Sequence, residues 1–247
     1  MILGIDTSAG RCGVALVSDG MVLAELSEVM ERGHAERLFP LIEAVLQQAG
    51  AAVQDLKRIA VCTGPGSFTG LRIGVAAARG LALGRGVPAI GITRFEAVAA
   101  GVTRPQLARS TGADDGPTES DPPASSRSQP RSLQAKVGWA ETRPVAVALA
   151  GRGAVFLQCF APDMVPLAKP ALVAVEALSA QPDRDVRIGD GWSLAGLTTA
   201  LASAGHADPA IVAGLAAERT PGALPAPLYL READAALPSE APPVLLD

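Results

Sequence analysis

The sequence predicts an α/β chain whose mixed sheets carry packed helices. Three observations point there. Three strand-like segments joined by short polar turns open the chain as a meander, and helical and strand periodicities alternate after them. Of the 247 residues, 49% are hydrophobic, enough for a sizeable buried core.

Taken in order, residues 2–5 and 13–17 read as strands joined by the polar turn Asp6 to Arg11, and 21–29 continues the meander after Asp19-Gly20. Leu38, Leu41, Ile42, Val45, Leu46 and Ala49 recur at helical spacing and stop at Gly50, which predicts a helix over 36–49 with Pro40 in its first turns. A strand at 57–62, a helix at 68–84, a strand at 88–92 and a helix at 94–100 complete a first unit, 1–103. From 104 to 143 Pro, Ser, Gly, Asp and Arg crowd together, as in "GADDGPTESDPPASSRSQPRS". Such a segment buries too little apolar surface to offset its ordering entropy and reads as a disordered insertion. Strand character returns at 145–149 and 154–160 around Gly151-Arg152-Gly153. A Pro-rich passage, a strand at 186–188 and helices near 193–204 and 209–218 follow, giving a smaller α/β unit over 144–247 with an irregular tail.

The formal net charge of −4 offers no basic footprint, which disfavours a tight grip on nucleic acid by the chain alone. Cys12, Cys62 and Cys159 form no CxxC, and with no leader or bilayer-length apolar run in view the expectation is a cytoplasmic protein that does not touch the membrane. His34 and His206 form no HxxxH or HExxH pair, so no metal centre is expected. Cys62 ends a strand just before a helix N-terminus, where a thiolate is stabilised, but no base stands beside it in the sequence.

The stretch "CTGPGSFTGLRIG" at 62–74 has the outline of a phosphate loop. It lacks the lysine of GxxxxGK[ST], with Leu71 in that place, and GxGxxG fails because Gly64 and Gly66 are followed by Thr69. Gly64, Gly66 and Ser67 are therefore either an anion cradle built from backbone N–H groups or a tight turn with Ser67 as helix cap. In the helix that follows, a 100° projection puts Gly70, Leu71, Gly74, Val75, Ala78, Leu81 and Ala82 on one face and Ile73, Ala77, Gly80 and Gly84 on a second, leaving Arg72 and Arg79 as a narrow polar strip. Gly70, Gly74 and Ala78, four apart, form a small-residue groove. Either the chain's own preceding helix or a partner helix fills it.

"ILGIDTS", "GHAERLFPLIEAVL", "VCTGPGSFTGLRIGVAAARGLALG", "VPAIGITRFEAVA", "GDG" at 189–191 and "LYLRE" together resemble the TsaB (YeaZ) family of bacterial proteins required for threonylcarbamoyl-adenosine modification of tRNA. The resemblance is dense over the first hundred residues and thin beyond. It implies two RNase-H-like halves of the actin-like ATPase (ASKHA) kind. In kinases of that superfamily the turn corresponding to Asp6, Thr7 and Ser8 contacts phosphate; in TsaB-like proteins it is usually read as a remnant. The family is understood as non-catalytic, without a cofactor or metal of its own. It supports TsaD, which carries the metal-binding histidine pair and transfers threonylcarbamoyl, in a complex completed by the ATPase TsaE, where ATP is used.

Carried over, helices 36–49 and 68–84 become an apolar platform for TsaD, with Leu38, Leu41, Ile42, Val45, Gly70, Leu71, Gly74, Val75, Ala78 and Leu81 as its contacts. tRNA is reached only through the complex, and the lone chain pairs with itself. Two departures stand out: the 104–143 segment is longer than the family's junction, and the family's acidic Asp-Ala-Arg-Arg-Gly-Glu-Val-Tyr stretch reads Leu149-Ala150-Gly151-Arg152-Gly153-Ala154-Val155-Phe156 here. The rival readings are a kinase or glycoprotease-like peptidase of the same fold, and a nucleotide-binding regulator.

Overall fold

The computed structural model describes residues 1–101, 131–132, 144–151, 154–161, 163–180, 186–197 and 205–231. Two sheets organise them. In the first, β1 (Ile2–Ala9), β2 (Arg11–Ser18) and β3 (Met21–Val29) form the antiparallel meander, while β4 (Arg58–Cys62) and β5 (Ala89–Ile92) add parallel to β1 in the order β5-β4-β1-β2-β3. Helices α1 (His34–Gln48) and α2 (Phe68–Arg85) are the crossovers the parallel strands require.

The meander is longer than its polar turn suggests. Asp6, Thr7 and Ser8 are buried residues of β1, not turn residues, and the register shifts between Asp6 and Ala9 before a one-residue reversal at Gly10. Helix α1 begins at His34, so Pro40 lies in its second turn rather than at its start and forgoes one helical hydrogen bond. At Gly86 the φ of +64° closes α2 in the left-handed conformation that glycine adopts without steric cost.

One face of the first sheet packs Leu3, Ile5, Ile59 and Val61 against Leu38, Leu41, Ile42 and Val45 of α1 and Val75, Ala78 and Ala82 of α2. The other face is covered by α3 (Arg94–Ala100) and by a helix from the far end of the chain, Pro209–Glu218. That helix packs so closely on the sheet that a Cβ at Gly4 would stand 2.0 Å from the Pro209 carbonyl oxygen. The expected division at residue 144 therefore does not follow the packing, because the first half recruits residues from both ends.

The short strand β6 (Arg131–Ser132) pairs antiparallel with Met21 and Val22 at the sheet's edge. These are the two described residues of the 104–143 segment, and there the expectation of disorder is replaced by a strand; the rest of that expectation lies outside the described residues.

In the second sheet β7 (Val145–Ala150) pairs antiparallel with β8 (Val155–Phe160), β8 with β9 (Ala171–Val173), and β10 (Val186–Ile188) joins β7 in parallel. The order β10-β7-β8-β9 repeats the first four strands of the other sheet, so the expected pair of mixed-sheet halves is present. A 3-10 segment, Val175–Ala180, stands where the first half has α1. A four-residue helix, α4 (Gly191–Leu194), falls partly within the helix expected near 193–204, and residues 198–204 lie outside the described ones. Helix α5 is Pro209–Glu218, capped by Asp208, whose carboxylate accepts from the Ala210 and Ile211 amides. The expectation of an irregular tail beyond 232 also lies outside the described residues. Helix α3 lies between the sheets, giving Ala97 and Ala100 to one core and Phe95, Val98 and Ala99 to the other.

Candidate functional site

The glycine-rich turn between β4 and α2 lies directly on the end of β1. A Cβ at Gly66 would stand 1.9 Å from the Ser8 carbonyl oxygen, one at Gly70 2.1 Å from that of Thr7, and one at Gly74 2.3 Å from Thr7 Oγ1. The contact is also hydrogen-bonded: the Ser67 amide donates to Ser8 O at 2.7 Å and Thr7 Oγ1 donates to Gly70 O at 2.7 Å. Two sequence expectations are corrected here. The Gly70, Gly74, Ala78 groove is filled by the chain's own first strand, not by a neighbouring helix. Asp6 and Thr7 are consumed internally, Asp6 Oδ1 accepting from the Ser8 amide at 2.9 Å, and neither is among the residues lining the cleft between the halves. Gly64, with φ of +101°, is shielded by Leu71, and its carbonyl accepts from the Arg94 amide.

Gly66 and Ser67 do reach open space, with the fully buried Ser8 directly behind them. They line a cleft of about 760 Å³ together with Phe68 and Thr69 of α2, Arg94 of α3, Gly151, Phe156 and Asp190 of the second half, His206, and the segment 228–231. The Leu228 amide donates to Thr63 O, and Tyr229 accepts from Arg72 Nε at 3.0 Å while its ring stands 5.0 Å from that of Phe68.

Arg94 is the buried cation of this cleft. It donates from Nε to Gly205 O at 2.6 Å and from Nη1 to Pro65 O at 3.3 Å, and stands 4.0 Å from Asp190, whose Oδ1 accepts from the Ala150 amide. Partial burial, then Arg94 and Arg11, hold the His206 pKa below its ordinary value, against the opposing charges of Asp6 and Asp190. Complete burial pushes the Cys62 thiol far up, so the thiolate reading of that residue is overturned.

The second surface belongs to α1 and α2. Of the expected platform residues, Leu38, Leu41, Ile42, Val45, Leu71, Val75 and Ala78 are buried in the core, as are Gly70 and Gly74, and Leu81 is half-buried. Beside them runs a groove of about 750 Å³ lined by Ala35, Phe39, Ile73, Ala76, Gly80, Leu81 and Gly84. Phe39 is 49% exposed and Leu83, farther along α2, is 85% exposed. The second face of the helical projection thus supplies Ile73, Gly80 and Gly84 to the groove while its Ala77 is buried, and the exposed positions of α2 include the strip of Arg72 and Arg79 with Ala76 and Leu83 beside it. His34 is buried against Ala9 O, and among the described residues no group of three His, Cys, Asp or Glu is placed to hold a metal. Sequence reasoning missed Arg94 and Phe39, and met Asp190 only as part of the GDG motif at 189–191. Thr93 and Glu96, a capping box, marked the helix start on which Arg94 sits.

The family model described as TsaD, tRNA N6-adenosine threonylcarbamoyltransferase, matches residues 26–109, which hold α1, α2 and α3. Over 103 residues, 42% of this chain and 44% of the relative, the sequence is 43% identical to the tRNA threonylcarbamoyladenosine biosynthesis protein TsaB of Escherichia coli (strain K12). Over 99 residues, 40% of this chain and 43% of the relative, it is 39% identical to the TsaB of Bacillus subtilis (strain 168). The matched stretch thus spans less than half the length of these curated relatives. Among solved structures, the protein with similarity to peptidase YEAZ from Pseudomonas aeruginosa superposes with a TM-score of 0.66 at 24% identity, over 93% of this chain and 99% of that one. YeaZ from Pseudomonas aeruginosa gives 0.62 at 23%, over 87% and 91%. At these identities the structural likeness establishes the fold.

Proposed function

We propose, from the chain's similarity to TsaB (YeaZ) proteins, that it is the accessory subunit of a cytoplasmic complex that transfers threonylcarbamoyl from its adenylate to N6 of the adenosine beside the anticodon in tRNA. Its partner is TsaD, with TsaE as the ATP-using member, and its role is to hold TsaD rather than to catalyse. The observation that carries the reading is the solvent-facing apolar groove between α1 and α2, which lies within the stretch matched by the TsaD family model. A chain that resembles both TsaB and TsaD over those residues shares the helix pair with its partner, so the two pairs can pack face to face about a pseudo-two-fold axis. Small residues at Ala76, Gly80 and Gly84 let a helix approach closely, while Phe39 supplies apolar area for an interface core. The net charge of −4 agrees with tRNA being gripped through the complex.

The experiment is size-exclusion chromatography of the chain mixed with TsaD of the same organism, repeated with Phe39→Asp and Gly80→Leu. The expected result is a complex with the wild type and none with either variant, both retaining wild-type unfolding temperatures within a few degrees. Absence of a wild-type complex overturns the proposal. Without TsaD, the same face pairs two copies, and dilution should dissociate them.

A further inference from the structure

The outward face of the α1–α2 pair carries a charge pattern as well as an apolar groove. We propose that these charges fix how two copies of this chain meet: α1 of one copy lies along α2 of the other, Glu36 and Glu43 of each copy facing Arg72 and Arg79 of the second. The inference rests on the reading of this face as the pairing surface and adds the rule that selects the arrangement.

Glu36 and Glu43 stand one turn before and one turn after Phe39, so the three share one exposed face of α1. Arg72 and Arg79 flank Ala76 in the same way on α2. Each pair of like charges is separated by two helical turns, about 10 Å. The two signs are segregated. Helix α2 has no acidic residue, and Arg37, the cation on α1, is drawn to Glu28 of β3. Glu36, Glu43 and Arg79 make no hydrogen bond or ion pair with a described residue, so their charges are open to a neighbour. Arg72 donates from Nε to the Tyr229 hydroxyl and lies 3.8 Å from the centre of the Phe68 ring, which leaves Arg79 the more available of the two.

The topology turns this pattern into a choice. Strands β3, β4 and β5 all run parallel to β1, and α1 and α2 join them across one face of the sheet, so the two helices run side by side in the same direction. A second copy related by a two-fold axis along the helices sets α1 on α2 in parallel, and the matching two-turn spacings bring carboxylates to guanidinium groups. An axis across the helices instead sets each helix antiparallel on its own copy, with carboxylate against carboxylate and arginine against arginine. Opposed like charges disfavour that arrangement. The apolar groove lined by Phe39, Ala76 and Gly80 serves both equally well, so the charges decide between them.

Sedimentation velocity of the full chain over a dilution series at low salt tests the rule with two single reversals, Glu43→Arg and Arg79→Glu. In the proposed arrangement each reversal turns two attractions per dimer into repulsions, and self-association should weaken by about tenfold or more. An equimolar mixture of the two variants should recover wild-type association, because every contact in the mixed dimer is again of opposite sign. The antiparallel arrangement gives the reverse for Glu43→Arg, which would then face Glu36 and associate more tightly. Tighter or unchanged self-association of both variants, no recovery on mixing, or no self-association of the wild type overturns the proposal. Should a reversal misfold, Glu43→Gln and Arg79→Gln replace it, and each should weaken pairing by a smaller factor. Phe39→Asp separates this failure from that of the pairing surface itself. If it abolishes self-association while both reversals leave it unchanged, the charge rule alone falls; if it too has no effect, the face is not where copies pair.

Discussion

Replacing Gly70 by alanine should destabilise the protein, although alanine is the better helix former. The added Cβ would stand 2.1 Å from Thr7 O, a buried backbone atom at the end of the central strand β1 that cannot yield as a flexible side chain would. Thr7 lies in the irregular, buried end of β1, and relieving the clash means lifting the start of α2 from that strand end, at about 1–3 kcal/mol for overpacking. It also breaks the buried Thr7 Oγ1 to Gly70 O hydrogen bond, about 1 kcal/mol more. Helix propensity returns about 1 kcal/mol, leaving a net loss of about 1–3 kcal/mol. Gly80, on the same helix, is the internal control: an added Cβ there meets nothing within 4 Å. Gly80→Ala should therefore stabilise by up to about 1 kcal/mol. Urea unfolding followed by circular dichroism measures both, as opposite shifts of the midpoint at unchanged slope. A Gly70→Ala protein as stable as Gly80→Ala would refute the assignment of the glycines to self-packing and reopen the partner-groove reading.

Thr7→Val keeps the shape but leaves Gly70 O without its donor, and should cost about 1 kcal/mol in the same assay. Arg94→Leu strands the buried Gly205 and Pro65 carbonyls and should cost about 2–4 kcal/mol, with faster proteolysis at residues 205–231 as a local readout. The depressed His206 pKa means the unfolded chain binds this proton more readily than the folded one. Stability from this residue is therefore full above the ordinary histidine value and falls as pH drops through it, and His206→Gln should flatten the unfolding midpoint between pH 7.5 and 5.5. The exposed Glu28–Arg37 pair, between β3 and α1, should contribute little, so Arg37→Ala should leave the unfolding midpoint unchanged within the precision of the assay.

The order of elements from β1 to α3 was legible because each segment's pattern agrees with its place: a short apolar run in β2 that is buried on both faces, a single apolar face on α1, a capping serine and a terminal glycine on α2. The length of β1 was not. Asp6-Thr7-Ser8 has the composition of a turn, and only the close approach of Gly66 and Gly70 keeps it in the sheet as a buried strand end. A helical projection shows that α2 is apolar on two faces but not which one meets a sheet. Three glycines against Thr7 and Ser8 decide it, and that distance is a tertiary fact. Of the cleft, Ser8, Gly66 and Ser67 could be found from the loop's glycines and hydroxyls. Asp190 was visible in the GDG motif, but its approach to Arg94 was not, since the two meet only when α3 is clamped between two sheets.

The seating of α5 on the first sheet has a consequence for how the polypeptide is made. During synthesis Ile2, Ala60, Ile90 and Ile92 leave the ribosome well before Ile211, Val212 and Ala216, the side chains that cover them. Until then the half-built sheet presents an open apolar face, the kind of transient surface that invites aggregation or chaperone capture. The pairing of strand and helix across some two hundred residues also places this protein among slow, topologically demanding folders. A nascent chain halted before residue 209 cannot close its first core, so translation must pass α5 before the first sheet becomes native.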